Sequence, residues 1–384
     1  MKVFLIAFPS IHTEKWINQF KHMKDIKFIY FPSIYSKKNI SLINFEHKSF
    51  FFQKNFNFKN YYISFSKINF INRFFQYFLF KILPKKILIY SIKNIILKYK
   101  PDYIHSLEFQ NSSKQILLVK KIFFKNRSFP KWIATNWGSD LYFFDNIKKH
   151  YYINNKILNN CNFYSAECKR DYFLGERISK EKFLPIIPNS GGFDLEFISS
   201  IRSNKPTSKR NIVFVKGFDS IVGRASNFLN SILLLDKKFL TKYDFVFYSY
   251  TKDFKKKANI ISRKYKLNFS YLETITNKLF LKKLSEARVY VGLSASDGIS
   301  TSLLESMALG VFPIQSSTSC ANEWIDSNNG FIVDYLDFDQ ISKRLMKALT
   351  DDLMVDRAND INWKITKEKL DSNKISIIAR TFYK

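Results

Sequence analysis

Two carboxylates, Asp297 and Glu305, stand eight residues apart in the stretch Val289 to Glu323, VYVGLSASDGISTSLLESMALGVFPIQSSTSCANE. Asp297 lies in a small, polar loop, Ser294 to Ser300, and Glu305 lies on the helical segment that follows. Free backbone N–H groups at a helix start, near Ser300 to Ser302, suit a phosphate. Carboxylates on either side suit sugar hydroxyls, so the pattern reads as a nucleotide-sugar site. The same residues carry a second reading, because Ser302 and Glu305 spell a Ser-x-x-Glu capping box in which the acid serves only the helix.

The elements that would hold these residues follow from the apolar pattern. Val289 to Leu293 has the length of a buried strand, Leu304, Met307 and Ala308 recur at helical spacing, and Gly310 stands where a left-handed cap would end the helix. Val311 to Ile314 reads as the next strand, making a strand, loop, helix, strand unit of a parallel sheet, whose ligands bind at the carboxyl ends of the strands. Further strands are expected at Lys2 to Phe8, Ile26 to Phe31, Lys131 to Trp137, Cys161 to Glu167, Asn211 to Val215, Phe245 to Tyr250, Leu267 to Leu272 and Phe331 to Val333. Helices are expected at Thr13 to Phe20, at Phe228 to Ile232, at Phe338 to Leu349 and at Asp371 to Tyr383. Residues 36–68, rich in Asn, Lys and Phe without a firm period, read as a variable loop.

Asp297, seven intervening residues and Glu305, followed by Ser306-Met307-Ala308 and later by Glu323, resemble the Glu-x7-Glu block of the retaining glycosyltransferases of family 4. Here the first acid is Asp, one methylene shorter. Pro101-Asp102-Tyr103-Ile104-His105 is similar to that family's Pro-Asp-x-x-His strand. Gly138-Ser139-Asp140 is similar to its His-Gly-Ser-Asp turn, with Trp137 in place of the His; the hydrogen bond then missing would come from Asn136 or His105, or Trp137 would stack on a sugar. Asn189 to Asp194 is similar to the turn that closes the family's first domain.

The resemblance implies an α/β protein of the GT-B fold, with two Rossmann-like domains whose parallel sheets face a central cleft. An acceptor-binding domain would span 1–196, a linker 197–210, and a nucleotide-sugar-binding domain 211–360, with a C-terminal helix, 361–384, packing back on the first domain. It further implies that Lys216 and Arg224, with Gly217, Gly298, Ile299, Ser300 and Thr301, hold the donor diphosphate, cations being apt for a leaving group that gains charge. Glu305 would hold the ribose, Asp297 the sugar hydroxyls, and Glu323 the donor side. His12, His105, Asn136, Trp137, Gly138 and Asp140 would line the acceptor side. The donor would be UDP- or GDP-linked, with no metal or other cofactor, and the acceptor a cell-envelope glycan or lipid-linked sugar such as those of lipopolysaccharide or capsule.

At 384 residues the chain suits two domains. It carries 62 Lys+Arg against 32 Asp+Glu, for a net charge of +30. Such a surface favours anionic partners. No aromatic and basic nucleic-acid motif is visible, and residues 69–100, where aliphatic and aromatic side chains interleave with Lys, have the composition of an interfacial segment for an anionic membrane or, equally, of ordinary helices packed on a sheet. Arg73, Gln76, Lys81 and Pro84 interrupt any membrane-spanning run. Cys161, Cys168 and Cys320 are odd in number and widely spaced, which suggests neither a disulfide framework nor a zinc site and points to a reducing, cytoplasmic setting. Two competing functions stay open: a nucleotide-sugar epimerase on the same fold, for which His105 and Asp140 are the tempting pair, and a non-catalytic basic binding protein.

Overall fold

The computed structural model describes residues 1–34, 45–49, 60–64, 74, 77–78, 85–178, 182–273 and 275–384. The chain divides into two compact units, one made of Met1–Gly191 with Ile375–Lys384 and the other of Gly192–Lys374. Each is a Rossmann-like α/β unit built on a parallel sheet.

The first unit runs β1 (Lys2–Ala7), α1 (Ile11–Asn18), β2 (Lys27–Pro32), β3 (Phe45–Ser49), β4 (Asn60–Ser64), α2 (Lys85–Tyr99), β5 (Tyr103–Leu107), α3 (Lys114–Phe123), β6 (Lys131–Thr135), α4 (Ser139–Tyr142), α5 (Lys148–Leu158), β7 (Phe163–Ser165), α6 (Lys169–Glu176) and β8 (Lys182–Phe183). Its eight strands pair in the order β3-β4-β2-β1-β5-β6-β7-β8. Strands buried on both faces need apolar residues on both, and β1 obeys: Val3 and Leu5 face one way, Phe4 and Ile6 the other, all with no exposure. Phe4, Ile6, Ile104 and Trp132 pack with Ile92 and Ile96 of α2, Ile116 of α3 and Ile157 of α5. On the opposite face Trp16 and Phe20 meet Phe382 and Tyr383 from the last residues of the chain.

The second unit runs α7 (Leu195–Ile201), β9 (Ile212–Lys216), α8 (Ala225–Ile232), α9 (Lys237–Leu240), β10 (Asp244–Tyr248), α10 (Lys252–Tyr265), β11 (Asn268–Leu272), α11 (Asn277–Leu284), β12 (Ala287–Gly292), α12 (Thr301–Ala308), β13 (Phe312–Ser316), β14 (Phe331–Val333), α13 (Phe338–Thr350) and α14 (Asp352–Lys369), and α15 (Ser372–Arg380) then leads into the first unit. Its strand order is β11-β10-β9-β12-β13-β14. Val213, Val215, Phe245, Phe247, Val291 and Ile314 form the core beneath α8, α10 and α13.

Three expectations change. Residues 36–68, read as a loop, contain the paired strands β3 and β4, and the rest of that stretch lies outside the described residues, as does most of 69–84. Residues 197–210, read as a linker, are built into the second unit, because Thr207 Oγ1 and Arg210 Nη1 donate to the Gly310 carbonyl at 2.7 and 3.1 Å. The first half of α14 is absent from the sequence reading, and the single helix expected over 361–384 is instead the end of α14 followed by α15. The inward stripe of α14 is Val355, Ala358, Asn362 and Thr366, too small and polar to mark a period, and its start is fixed by Asp351 accepting from the Met354 amide at 3.0 Å.

Gly310 does end α12 in the left-handed region, at φ +69°, and a Cβ there would lie 2.3 Å from Asn359 Oδ1. Gly310→Ala is therefore expected to lower the unfolding free energy by about 1–3 kcal/mol. Urea denaturation measures it, and an unchanged midpoint would show that the junction tolerates a side chain.

Candidate active site

In a parallel sheet with helices on both faces the strands change character only at their ends, and the second unit places its polar residues there. Lys216 closes β9 opposite Tyr248 of β10, Tyr290 lies on β12, and Gln315 on β13 stands opposite Gly292. Strand register puts Lys216, Tyr248, Tyr290 and Gln315 on one face, and Phe280 of α11 covers Phe214 and Tyr248 on that face. Gly292 leaves the room they use: a Cβ there would be 2.4 Å from the Tyr290 hydroxyl and 2.5 Å from Gln315 Oε1.

Above these strand ends three loops lock together. The loop after β9 joins the loop after β12 through Arg224 N to Leu293 O (3.1 Å) and Ala295 N to Val222 O (2.7 Å). The loop after β12 joins the one after β13 through Ser294 N to Ser316 Oγ (3.1 Å) and Asp297 N to Thr318 O (3.3 Å). This lacing places Asp297 Oδ2 3.7 Å from Lys216 Nζ, the two side chains being 29% and 31% exposed. Burial pulls the Lys216 ammonium down, but Asp297, helped by Tyr290 and Glu305, outweighs it and holds the group above its ordinary value, so it stays charged. Burial pushes both Tyr248 and Tyr290 up, so both phenols stay protonated.

The helix α12 begins at Thr301 with Ser300 as its N-cap, and Ser300 makes no side-chain cap bond. Ser302 is thus inside the helix, and the capping-box reading of Ser302 and Glu305 does not hold. Glu305 is 3% exposed in the middle of α12, its charge acting on Lys216 and Tyr248. Four buried polar atoms here, Tyr248 Oη, Tyr290 Oη, Ser300 Oγ and Gln315 Oε1, have no hydrogen-bond partner among the described residues. Tyr248 and Tyr290 lie close enough to each other, and to Ser302 and Ser300 respectively, to feel them without a bond of good geometry. Such orphans are rare in a finished interior and common where a ligand completes the bonding.

The remaining expected donor-side residues fall around this centre. Gly217 is needed where it is, since a Cβ would meet Tyr250 Cβ at 2.6 Å. Gly298, Ile299 and Ser300 are buried in the Asp297 loop, and the Gly298 amide donates to Asp297 Oδ1 at 3.0 Å. Glu323 ends a short 3-10 turn, Ala321–Glu323, after β13. Arg224, at the N-cap of α8, turns its guanidinium to the carbonyls of Ser220 and Gly223 (the latter at 3.1 Å). Sequence reasoning missed Tyr248, Tyr290 and Gln315. The available signal was a polar atom in the last residues of an apolar strand.

In the first unit His12 lies in the first turn of α1 rather than in a loop, exposed and edge-on to Trp137 at 5.8 Å. Trp137 is half-buried, and its indole N–H has no partner among the described residues. His105 lies in the core: Nδ1 meets Tyr383 Oη at 2.7 Å and Nε2 meets Thr135 Oγ1 at 2.6 Å. Asp140 Oδ2 accepts from the amides of Phe109 (2.9 Å) and Trp137 (2.8 Å), and Gly138 gives its carbonyl to Arg170 at 3.1 Å. Asn136 donates to Asp171 at 2.9 Å. Glu108, absent from the sequence reading, accepts from the amides of Asn111 and Ser112 at 2.9 and 2.7 Å. Burial raises the pKa of Glu108, and burial with the nearby Glu108 and Asp171 raises that of Asp140. These acids hold backbone turns together.

A fold of this kind, with a lysine and two acids gathered at a helix start beyond the strand ends, is that of a sugar-nucleotide-dependent transferase. Family models for glycosyl transferases group 1 match residues 199–366, and for glycosyl transferase 4-like proteins residues 78–168. The chain belongs to the family-4-like glycosyltransferases. No curated relative matches in sequence. Among solved structures, sucrose-phosphate synthase from Thermosynechococcus elongatus is similar at 14% identity and a TM-score of 0.70, covering 100% of this chain and 98% of that one. Anabaena HepE in complex with UDP and glucose is similar at 12% and 0.69, covering 100% and 99%. The lipopolysaccharide outer core galactosyltransferase WaaB is similar at 13% and 0.65, covering 100% and 99%.

Burial lowers the pKa of His105 from 6.5 to about 3. The ring is neutral in both states above pH 6.5; below it the unfolded chain takes the proton first, so stability is lost as pH falls towards 3. The unfolding free energy of wild type relative to His105→Gln should therefore drop by about 1.4 kcal/mol per pH unit between about pH 6 and 4. Urea denaturation at several pH values tests this, and parallel profiles would mean that the ring titrates normally.

Proposed function

We propose that the protein is a retaining hexosyltransferase that takes its sugar from a UDP- or GDP-linked donor and passes it to a glycan or lipid-linked acceptor in cell-envelope polysaccharide synthesis. The observation that carries this reading is the charged Lys216 beside Asp297, with Glu305 nearby on α12, next to four buried polar atoms that make no hydrogen bond of good geometry among the described residues. A diphosphate and a sugar supply the missing partners. UDP is the favoured nucleotide, since HepE is described with UDP and glucose and an E. coli trehalose-6-phosphate protein with UDP-2-fluoro glucose. The WaaB likeness supports an envelope glycan as product.

In this reading Lys216 and the opening amides of α12, near Ser300 and Thr301, hold the diphosphate, Glu305 takes the ribose, and Asp297 takes hydroxyls of the sugar. The bond between the anomeric carbon and the phosphate oxygen breaks while the acceptor hydroxyl forms its bond on the same face. The departing phosphate takes the acceptor's proton, so the products are the glycoside and the protonated nucleoside diphosphate. Lys216 and the helix dipole counter the charge that grows on the leaving group, the task a metal ion performs in other transferases. Arg224 shapes the Gly217 to Gly223 loop through its carbonyl bonds and reaches phosphate only by releasing them. Trp137 and His12 offer an aromatic surface and an unpartnered indole N–H to the acceptor, and residues 69–100 associate with the inner face of the cytoplasmic membrane.

The epimerase reading relied on His105 and Asp140, and both are occupied in holding the first unit together. The donor reading is tested by thermal shift with UDP, GDP, ADP and CMP sugars. One nucleotide class should raise the melting temperature of wild type and not of Glu305→Ala. Lys216→Met should lower kcat by about a hundredfold or more, whereas Arg224→Ala should act mainly on KM; full turnover by Lys216→Met would remove that residue from the site.

A further inference from the structure

We infer that the layer formed by α2, α3 and α5 in the first unit is a docking surface for an anionic phospholipid bilayer. This deepens the proposed membrane association of residues 69–100 and rests on that reading for its biological purpose. The physical case stands on the three helices themselves. They lie side by side on one face of the sheet: Tyr90 of α2 packs against Phe123 of α3 at 4.8 Å, with Lys93 Nζ 5.0 Å from the same ring. Lys156, and then Lys121 of α3, hold the Tyr152 phenol of α5 below its ordinary value, so α3 and α5 are neighbours as well.

Their inward faces are spent on the core, through Ile92, Ile116 and Ile157 among others. Their outward faces are also apolar. Tyr90 and Leu97 on α2, Leu118 and Ile122 on α3, and Tyr151 and Tyr152 on α5 are between 40% and 60% exposed. Scattered exposed apolar residues are ordinary. Here, however, they occur on three adjacent helices, and every charge among them has one sign. The three helix sequences contain four, three and three lysines and no Asp or Glu. Surface helices of soluble domains usually mix signs, since paired charges keep them soluble and monomeric.

The chemistry chooses the partner. Lysines reach anionic headgroups, tyrosines sit at the headgroup boundary, and aliphatic side chains enter the acyl edge. Nucleic acid would use the lysines and tyrosines but leave Leu97, Leu118 and Ile122 against water or phosphate. Among the described residues no helix is long and apolar enough to cross a membrane, so the inferred mode is lying on the surface.

The test is co-sedimentation of the full-length protein with vesicles of phosphatidylglycerol and phosphatidylcholine, and with phosphatidylcholine alone, at low and high salt. Wild type should bind the anionic vesicles at low salt and leave the neutral ones. The variants K121E/K149E and I122N/Y152S should each weaken binding by at least about tenfold, while R263E/K264E on α10, an equal loss of positive charge elsewhere, should bind within about twofold of wild type. The inference is overturned if wild type ignores anionic vesicles, if the α10 variant loses as much as the other two, or if a single-stranded oligonucleotide binds more tightly and is lost in the same variants. A nucleotide-induced thermal shift retained by the surface variants shows them folded. Its absence from wild type would instead sink the donor reading and leave the vesicle result standing.

Discussion

A parallel strand covered by helices on both faces has to be apolar along its length, and that constraint decides where the second unit keeps its chemistry. β9, β10, β12 and β13 carry Val, Phe, Tyr and Ile through their interiors and change near their ends, at Asp244 and Arg288 where they start and at Lys216, Tyr248, Gly292 and Gln315 where they finish. Lys216, Tyr248, Tyr290 and Gln315 are thereby brought to one face near the carboxyl ends. The helix α12, entering with its positive end first, supplies a field of the same sign as Lys216. Asp297 and Glu305 steady the ammonium there, and in the proposed function they also offer acceptors to hydroxyls of the donor.

The first unit obeys the same constraint and spends the result differently. In and just beyond its strands lie His105, Glu108, Asn136 and Asp140, bonded to Tyr383, to neighbouring turns and to Asp171, with Asn136 Oδ1 left without a partner among the described residues. His12 and Trp137 stand edge-on to each other nearby, at 5.8 Å.

The sheet strands and α12 were legible because their apolar runs and the Gly310 cap are local signals. The acids Asp297 and Glu305 were legible through spacing. Other features were invisible for identifiable reasons. Tyr290 and Gln315 look like core and surface residues respectively, and only strand register reveals that Gly292 makes room for both. Glu108 matters because its backbone adopts φ 74°, which no residue type announces unless it is glycine. The helix α14 is cored with Ala, Asn and Thr, and Asn362 satisfies Asn329 at 2.8 Å instead of burying apolar area. His105 misled in the opposite direction: its motif suggested a site, and its burial made it a keystone.

The bond from Arg210 and Thr207 to the Gly310 carbonyl has a consequence for how this chain tolerates change. The helix α12 is eight residues long, about 12 Å, with the candidate phosphate site at one end and that carbonyl at the other. A rod so short does not bend, so a tilt imposed at the Arg210 end is delivered undiminished to Ser300 and Thr301. The segment 205–210, which has the composition of a dispensable connector, is in mechanical terms the mounting bracket of the candidate phosphate site. Sequence drift there would be filtered by sugar-nucleotide affinity.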